Sequence, residues 1–276
     1  MDDILMWGSL LLVGYAAGTI GSIVGLGGGI IIVPALLYLA HFFPPFRMIS
    51  PPIAVGTSLF LIVITSLAST LSFHKQKRID FTSGWLFFFG CGPGAMIGAY
   101  LSRYLQSNLF LMGFGIFMLV ISFVLMIKDR IGWMRYTGSQ VRTHTDSDGH
   151  TWTYGYNRWL VLGMSFPIGI LSGLLGIGGG ALMVPIMLIV FRFPPHVATA
   201  TSMFAIFLSS ILGSGIHAFH AHIHWMAVLL LAPGAWLGGK TGAWISSRLE
   251  SKYLLRAFET LLVIIAIKMI YDGLTL

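Results

Sequence analysis

The sequence predicts an all-α fold: a polytopic helical membrane protein with two inverted-topology repeats. Each repeat is a glycine-broken helical hairpin followed by three transmembrane helices. Three observations carry this: long uncharged apolar gaps, a doubled glycine motif, and an uneven placement of Lys and Arg. Of the 276 residues only 9% are charged and 56% are hydrophobic, with a mean hydropathy of +0.86. A soluble domain carries ~25% charged residues, so a soluble enzyme with one buried core is excluded. The 16 Lys and Arg against 9 Asp and Glu leave +7, too sparse for the clustered basic face that nucleic acid needs. The single cysteine, Cys91, excludes an internal disulfide framework and a multi-cysteine metal knuckle.

The gaps come first. No Asp, Glu, Lys or Arg lies between Asp3 and Arg47, Arg47 and Lys75, Asp80 and Arg103, Arg103 and Lys128, Arg158 and Arg192, or Arg192 and Lys240. A ~30 Å hydrocarbon core needs about 20 apolar residues per helix. Backbone polar groups in lipid must also be satisfied internally, and no stretch alternates as a barrel strand would. The gaps therefore read as spans. The start Met1-Asp2-Asp3 is acidic where a signal peptide is basic, so no cleaved leader is expected here.

The elements follow in order. A glycine-interrupted stretch at 4–41 precedes spans at about 53–73, 83–103 and 108–128, making a first repeat over 1–128. Residues 129–158 are the hydrophilic connection, in which Val141–Tyr154 surrounds the Asp148-Gly149 turn signal and predicts a small hairpin. A second interrupted stretch at 159–191 precedes spans at about 197–217, 226–247 and 253–275, making a second repeat over 159–276. The interrupted stretches are too long for one helix, and the second is too short for two full spans. Two shorter helices meeting at the glycine run inside the membrane fit both.

The halves match residue by residue. Gly25-Leu26-Gly27-Gly28-Gly29 with Val33-Pro34 recurs 151 residues later as Gly176-Ile177-Gly178-Gly179-Gly180 with Val184-Pro185. At an offset of 144, Thr57-Ser58-Leu59-Phe60 matches Thr201-Ser202-Met203-Phe204, and Gly98–Ser102 matches Gly242–Ser246. Duplication accounts for the constant offset. The basic loop 74–82 is placed in the cytoplasm, while its counterpart 217–225 has no Lys or Arg. Working outward, 11 Lys and Arg fall inside and 3 outside. The halves are thus read as inverted, with both termini outside the cytoplasm.

Candidate site residues follow from the breaks. Glycine costs ~1 kcal/mol against alanine in a helix interior, so a run of them breaks the helix. Unwound backbone at membrane depth is tolerated only where protein or a water-filled cavity satisfies it. A helix restarting there presents free N–H groups and its positive dipole end. Two such breaks in corresponding places of the halves point to a midplane binding site for an anion. The predicted contacts are Gly27, Gly28, Gly29, Gly178, Gly179 and Gly180; close packing of small residues is the competing explanation. Gly176–Ala181 also fits G-x-G-x-x-A, but no acidic ribose ligand follows, so a nucleotide fold is rejected. Thr57, Ser58, Thr201 and Ser202 can donate to oxyanion oxygens without the cost of burying a charge. Lys240, among Gly238, Gly239 and Gly242, is either an attracting cation or a snorkelling one. His217, His220, His222 and His224 are read as interfacial, with proton sensing and metal binding as alternatives.

These glycine segments, the Thr-Ser steps and the Gly-Ala-aromatic ends of the third spans resemble the sulfite exporter TauE/SafE family over nearly the whole chain except 129–158. The resemblance implies a permease moving sulfite or small organosulfonates such as sulfoacetate out of a bacterial cell across the inner membrane. No cysteine lies in the glycine hairpins, which argues against relatives that handle thiosulfate with a cysteine at the pore. A passive anion channel and a His-cluster metal-dependent membrane enzyme are the alternatives. No catalytic residue, cofactor, metal or nucleic acid is expected. The expected partners are a small anion and the lipid bilayer, with a homodimer left open.

Overall fold

A computed structural model of the chain describes residues 2–127, 140–145, 151–248 and 252–275. The helices among them are α1 (Asp2–Val24), α2 (Gly29–Phe42), α3 (Pro51–Lys75), α4 (Phe81–Leu101), α5 (Ser107–Ile127), α6 (Arg158–Leu175), α7 (Gly180–Ile189), α8 (Pro195–Phe219), α9 (Trp225–Ser246) and α10 (Lys252–Thr275). Among the described residues six helices are long and apolar enough to cross a membrane: those over Trp7–Val24, Pro51–Lys75, Phe81–Tyr104, Ser107–Val124, Arg158–Leu175 and Pro195–Phe219. The α9 and α10 helices, at 22 and 24 residues, stand where the sequence places its last two spans. Both interrupted stretches are helix pairs broken at the glycines, α1–α2 and α6–α7, as the lengths require.

Connections follow local chemistry. Pro51-Pro52 opens α3 and Pro195 opens α8, positions where the missing N–H has no helical partner to lose. The predicted hairpin is present as β1 (Gln140–Thr145) paired antiparallel with β2 (Thr151–Tyr156). Its Asp148-Gly149 turn lies outside the described residues.

Helices of one half pack on those of the other. The α1 helix runs parallel to α9, since Gly14 meets Leu231 and Gly18 meets Ala235, where an added Cβ would lie 2.7 Å from the Ala235 carbonyl oxygen. The α4 helix runs parallel to α6 in the same way: Gly90 meets Ser165, Gly94 meets Phe166 and Gly98 meets Ile170. Along α4 the spacing is Gly90, Gly94, Gly98, and along α9 it is Gly234, Gly238, Gly242. Small residues four apart let backbones approach, and that approach supplies the van der Waals packing that lipid cannot replace. The α3 and α8 helices cross antiparallel. Gly56 near the start of α3 touches His217 near the end of α8, while Phe81 beyond the end of α3 packs edge-on against Phe204 near the start of α8. The α5 and α10 helices are also antiparallel, with Gly115 against Ala266 and Gly273 against Asn108.

The seam predicts a sharp contrast in a thermal-unfolding assay in detergent. A side chain at Gly98 would collide with the Ile170 carbonyl, whereas one at Gly163 meets nothing within 4 Å. Gly98→Val is expected to destabilise by about 1–3 kcal/mol or to abolish insertion. Gly163→Ala is expected to stay within about 0.5 kcal/mol of the parent.

Candidate functional site: the paired glycine turns

The two breaks have the same backbone. Gly25, Gly27 and Gly28 have φ of 79°, 80° and 90°, and Gly176, Gly178 and Gly179 have 73°, 81° and 77°. Three left-handed residues in a four-residue turn are accessible to glycine and strained for others. Gly28 and Gly179 stand at the N-caps of α2 and α7, and neither start has a side-chain cap. The first amides of each helix have no acceptor one turn back.

The turns face each other. A Cβ on Gly29 or Gly180 would strike, respectively, the Gly176 or Gly25 carbonyl of the opposite turn. Ile62 of α3 and Ile206 of α8 lie between them: a Cβ on Gly27 would be 3.0 Å from Ile62 Cγ2, and one on Gly178 would be 3.2 Å from Ile206 Cγ2. All of Gly25–Gly29 and Gly176–Gly180 are buried. Gly27, Gly28, Gly29, Gly178, Gly179 and Gly180 are thus gathered at one place.

The Thr-Ser steps tie the halves together. Ser58 Oγ donates to the Gly176 carbonyl at 2.8 Å, and Ser202 Oγ donates to the Gly25 carbonyl at 3.1 Å. Each serine therefore reaches the turn of the other half. Thr57 Oγ1 accepts from the His224 N–H at 2.9 Å, and Thr201 Oγ1 accepts from the Asp80 N–H at 3.0 Å. The two serine hydroxyls are beside the turns, the two threonine hydroxyls hold the loops before α9 and α4, and all four already hold structural hydrogen bonds. Lys240 is not brought to them: its side chain is exposed, with Nζ 5.0 Å from the Trp236 ring centroid.

Asp80 and His224 are 144 residues apart, and both cap the helix that follows. The Asp80 carboxylate accepts from the Ser83 N–H at 3.2 Å, and His224 Nδ1 accepts from the Ala227 N–H at 3.2 Å. Phe60 packs edge-on against Trp225 at 5.3 Å, and Phe204 packs edge-on against Phe81 at 5.1 Å. Lys77 and Ala221, also 144 apart, both have positive φ. The equivalence holds in the backbone while the chemistry differs. At the Asp80 end, the β2 strand brings Tyr154, whose hydroxyl donates to Asp80 Oδ2 at 2.8 Å, and Tyr156, whose hydroxyl lies 2.6 Å from Ser83 Oγ. Both rings are buried against Phe193. The connection 129–158 therefore packs its second strand onto the end of the site.

Several residues here escaped the sequence reading. Asp80 was legible only as a loop charge, although its 144-residue match to His224 was available. Thr65, Ser66, Ser69 and Thr70 on α3, and Ser209, Ser210 and Ser214 on α8, are buried rows of hydroxyls. Several bond back one turn: Thr65 to the Leu61 carbonyl at 3.1 Å, Ser209 to the Ala205 carbonyl at 2.9 Å. Ser210 Oγ and Thr70 Oγ1 are buried with no hydrogen-bond partner. Cys91, remote from the glycine runs in sequence, is delivered by α4 to the second turn, where a Cβ on Gly179 would be 3.3 Å from its Sγ. The absence of a cysteine from the hairpins thus does not keep a thiol away from the turns.

This is a multi-pass helical membrane protein whose buried centre is two glycine turns joined through serines. The chain belongs to the sulfite exporter TauE/SafE family, whose sequence pattern matches residues 10–269. It is a membrane protein of that transporter type. It is similar to the probable membrane transporter protein YunE of Bacillus subtilis, at 46% identity over 96% of this chain and 97% of the relative. A probable membrane transporter protein of Xylella fastidiosa is 27% identical over 96% of this chain and 93% of that protein. No solved structure matches the chain.

The serine links carry a measurable consequence. Ser58→Ala and Ser202→Ala should each lower stability by about 1–2 kcal/mol, because a buried carbonyl loses its donor. In thermal unfolding of the purified protein the Ser202→Ala effect is expected to be the smaller, because that hydroxyl is shared between the Gly25 carbonyl at 3.1 Å and the Thr199 carbonyl at 2.8 Å.

Proposed function

We propose that this protein exports small sulfur oxyanions or organosulfonates, such as sulfite or sulfoacetate, across the bacterial inner membrane by alternating access. The family membership and the paired glycine turns support this reading. The observation that carries it is the pair of uncapped helix starts, α2 and α7, converging from opposite halves on one buried point. Such starts present amide hydrogens and positive dipole ends to an anion. A sulfonate remains ionised at cellular pH, so its passage needs donors rather than protonation. Gly28, Gly29, Gly178, Gly179 and Gly180 supply backbone donors in this reading, Gly27, whose N–H already donates to the Gly21 carbonyl at 3.2 Å, shapes the turn, and Thr57, Ser58, Thr201 and Ser202 supply hydroxyls. The hydroxyl rows on α3 and α8 continue the polar track away from the turns.

The same reading treats 1–128 and 159–276 as inverted repeats joined by 129–158, with both termini outside the cytoplasm. The antiparallel crossing of α3 with α8 and of α5 with α10 supports it. Rocking of the halves would part Ile62 from Ile206 and open the turns to one side at a time. Lys240 has a more distant part: a positive charge near the end of α9 that raises the local anion concentration.

Flux into and out of proteoliposomes tests the proposal. Labelled sulfite and methanesulfonate should move with saturable kinetics; movement without saturation would indicate a channel, and no movement of either would reject the reading. Gly28→Ala and Gly179→Ala force alanine into a left-handed turn at ~1–2 kcal/mol each, and at Gly28 the new Cβ would also lie 2.6 Å from the Ala17 carbonyl oxygen, which makes it the costlier of the two. Each is expected to cut flux about tenfold or more while the protein still inserts. Lys240→Gln should raise the half-saturating anion concentration at low ionic strength and leave it unchanged in high salt, as a screened attraction requires.

A further inference from the structure

The two ends of the paired turns are chemically unlike, and the end where α4 and α8 finish holds groups that the transport reading does not use. His217 of α8 is fully buried, and neither of its ring nitrogens has a hydrogen-bond partner. A neutral imidazole carries one N–H and one acceptor, and neither is met within hydrogen-bonding geometry here. It stands against Gly56 of α3, one residue before Thr57, and the α6 backbone at Gly173 faces it. From His217 a line of cationic or protonatable groups leads outward. The His222 ring lies 5.9 Å from His217, and His220 stacks on His222 at 5.9 Å. Arg103 Nη1 is 3.5 Å from His220 Nε2.

The tautomers follow from the partners. The Ile216 carbonyl, 2.8 Å from His220 Nδ1, can only accept, so Nδ1 carries the hydrogen. In the neutral ring Nε2 is then the acceptor for the Arg103 guanidinium. When His220 takes a proton, its Nε2–H faces another donor, and the pair requires an acceptor between them. Arg103 is held in place by Tyr100 and Tyr104, whose hydroxyls it contacts and over whose rings its Cζ lies at 3.9 and 4.5 Å.

The other groups at this end are accounted for. His224 is past the cluster and uses Nδ1 to accept from the Ala227 N–H. Arg47 is exposed in the link between α2 and α3, on the residue after Phe46, which packs on His224. Asp272 is near the end of α10, beside Gly273, which packs against Asn108 of α5. Among the described residues, Arg103, His217, His220 and His222 make their side-chain contacts with rings, tyrosine hydroxyls, backbone and one another, and with no carboxylate.

We propose that Arg103, His220, His222 and His217 form a protonation-dependent binding site for a small oxyanion, through which the anion enters or leaves the turns. The site deepens the transport reading and rests on it for its place on the pathway. Its chemistry is a fixed guanidinium, two stacked imidazoles, and a buried imidazole beside Gly56, one residue before the Thr57-Ser58 step. Burial, His220 and Arg103 hold the His222 ring below the ordinary histidine range. A bound anion supplies the missing opposite charge and reverses that effect. Protons are then taken up on binding, so anion affinity rises as pH falls through the histidine range.

Methanesulfonate is the suitable probe, because its own charge is constant across that range. The full-length protein in lipid nanodiscs is titrated from about pH 8 to about pH 5 by imidazole NMR, with and without the probe. The midpoints of at least two imidazoles are expected to move up by about one pH unit when methanesulfonate is present. Midpoints unmoved by it overturn the site. In proteoliposomes, methanesulfonate flux should be about fivefold faster with the cluster side at about pH 5.5 than at about pH 7.5, and His222→Gln should flatten that dependence. Saturable flux with no pH dependence overturns the site and leaves the transport reading intact. Moved midpoints with no flux of sulfite or methanesulfonate retain the site and reject the transport reading.

Discussion

The structure depends on a close approach of backbone to backbone at its centre. The carbonyl of Gly176 accepts from Ser58, the carbonyl of Gly25 accepts from Ser202, and Gly29 and Gly180 leave no room for a side chain against those same carbonyls. This contact joins the two halves at the point where the backbone of each half has left its helix. It also fixes what the flanking helices must be. If α1–α2 and α6–α7 meet tip to tip, the helices beside them must close in too. They do so through Gly14 and Gly18 against α9, and Gly169 and Gly173 against α4. In lipid there is no hydrophobic drive to bring such helices together. The small side chains are therefore the means by which the central contact is held, and the close-packing account of the glycines and the binding account are compatible.

The constant offset of 144 preserves geometry and releases chemistry. Asp80 and His224 make the same backbone hydrogen bonds to equivalent threonines, Thr201 and Thr57. A carboxylate bridged to two tyrosines stands at one end, and an imidazole packed on Phe46 stands at the other. A scaffold with matched backbone and unlike ends would, in the proposed transport scheme, let each end set its own conditions for opening. The β2 strand belongs to this argument. Its two tyrosines are buried at the start of α4, so the connection between the halves is packed into the molecule at one end only.

Much of the fold was legible because lipid imposes simple rules. Uncharged gaps of bilayer length mark helices, and α3, α4, α5, α8, α9 and α10 fall within a few residues of the expected spans. The breaks at Gly25–Gly28 and Gly176–Gly179 were legible because only glycine tolerates their φ values. What the sequence hid is which groups meet across the molecule. Cys91 is 85 or more residues from the second turn in sequence yet touches Gly179 in space. Ile62 and Ile206 look like any lipid-facing aliphatic and instead fill the space between the turns. Lys240 is a charge inside a span, and the helix rotates it outward over Trp236. Periodicity gives the face of a helix, and only packing says what that face meets.

The location of the hydroxyls bears on how an anion could be handled without a buried lysine. A full cation at the turns would bind an oxyanion tightly and would itself be costly to bury when the anion has left. Hydroxyls and helix-start amides avoid both problems: they are neutral when empty and donate when occupied. The serines and threonines here have alternative acceptors at hand, the carbonyls of the opposing turn or of the preceding helical turn. An incoming oxyanion would exchange one acceptor for another rather than create a hydrogen bond where none existed. The net energy of such an exchange is small, about 1 kcal/mol per bond. Small terms of this size suit a carrier that must release its cargo on the other side, and in the proposed scheme the stronger, pH-dependent attraction would stand at the end of the path rather than at its middle.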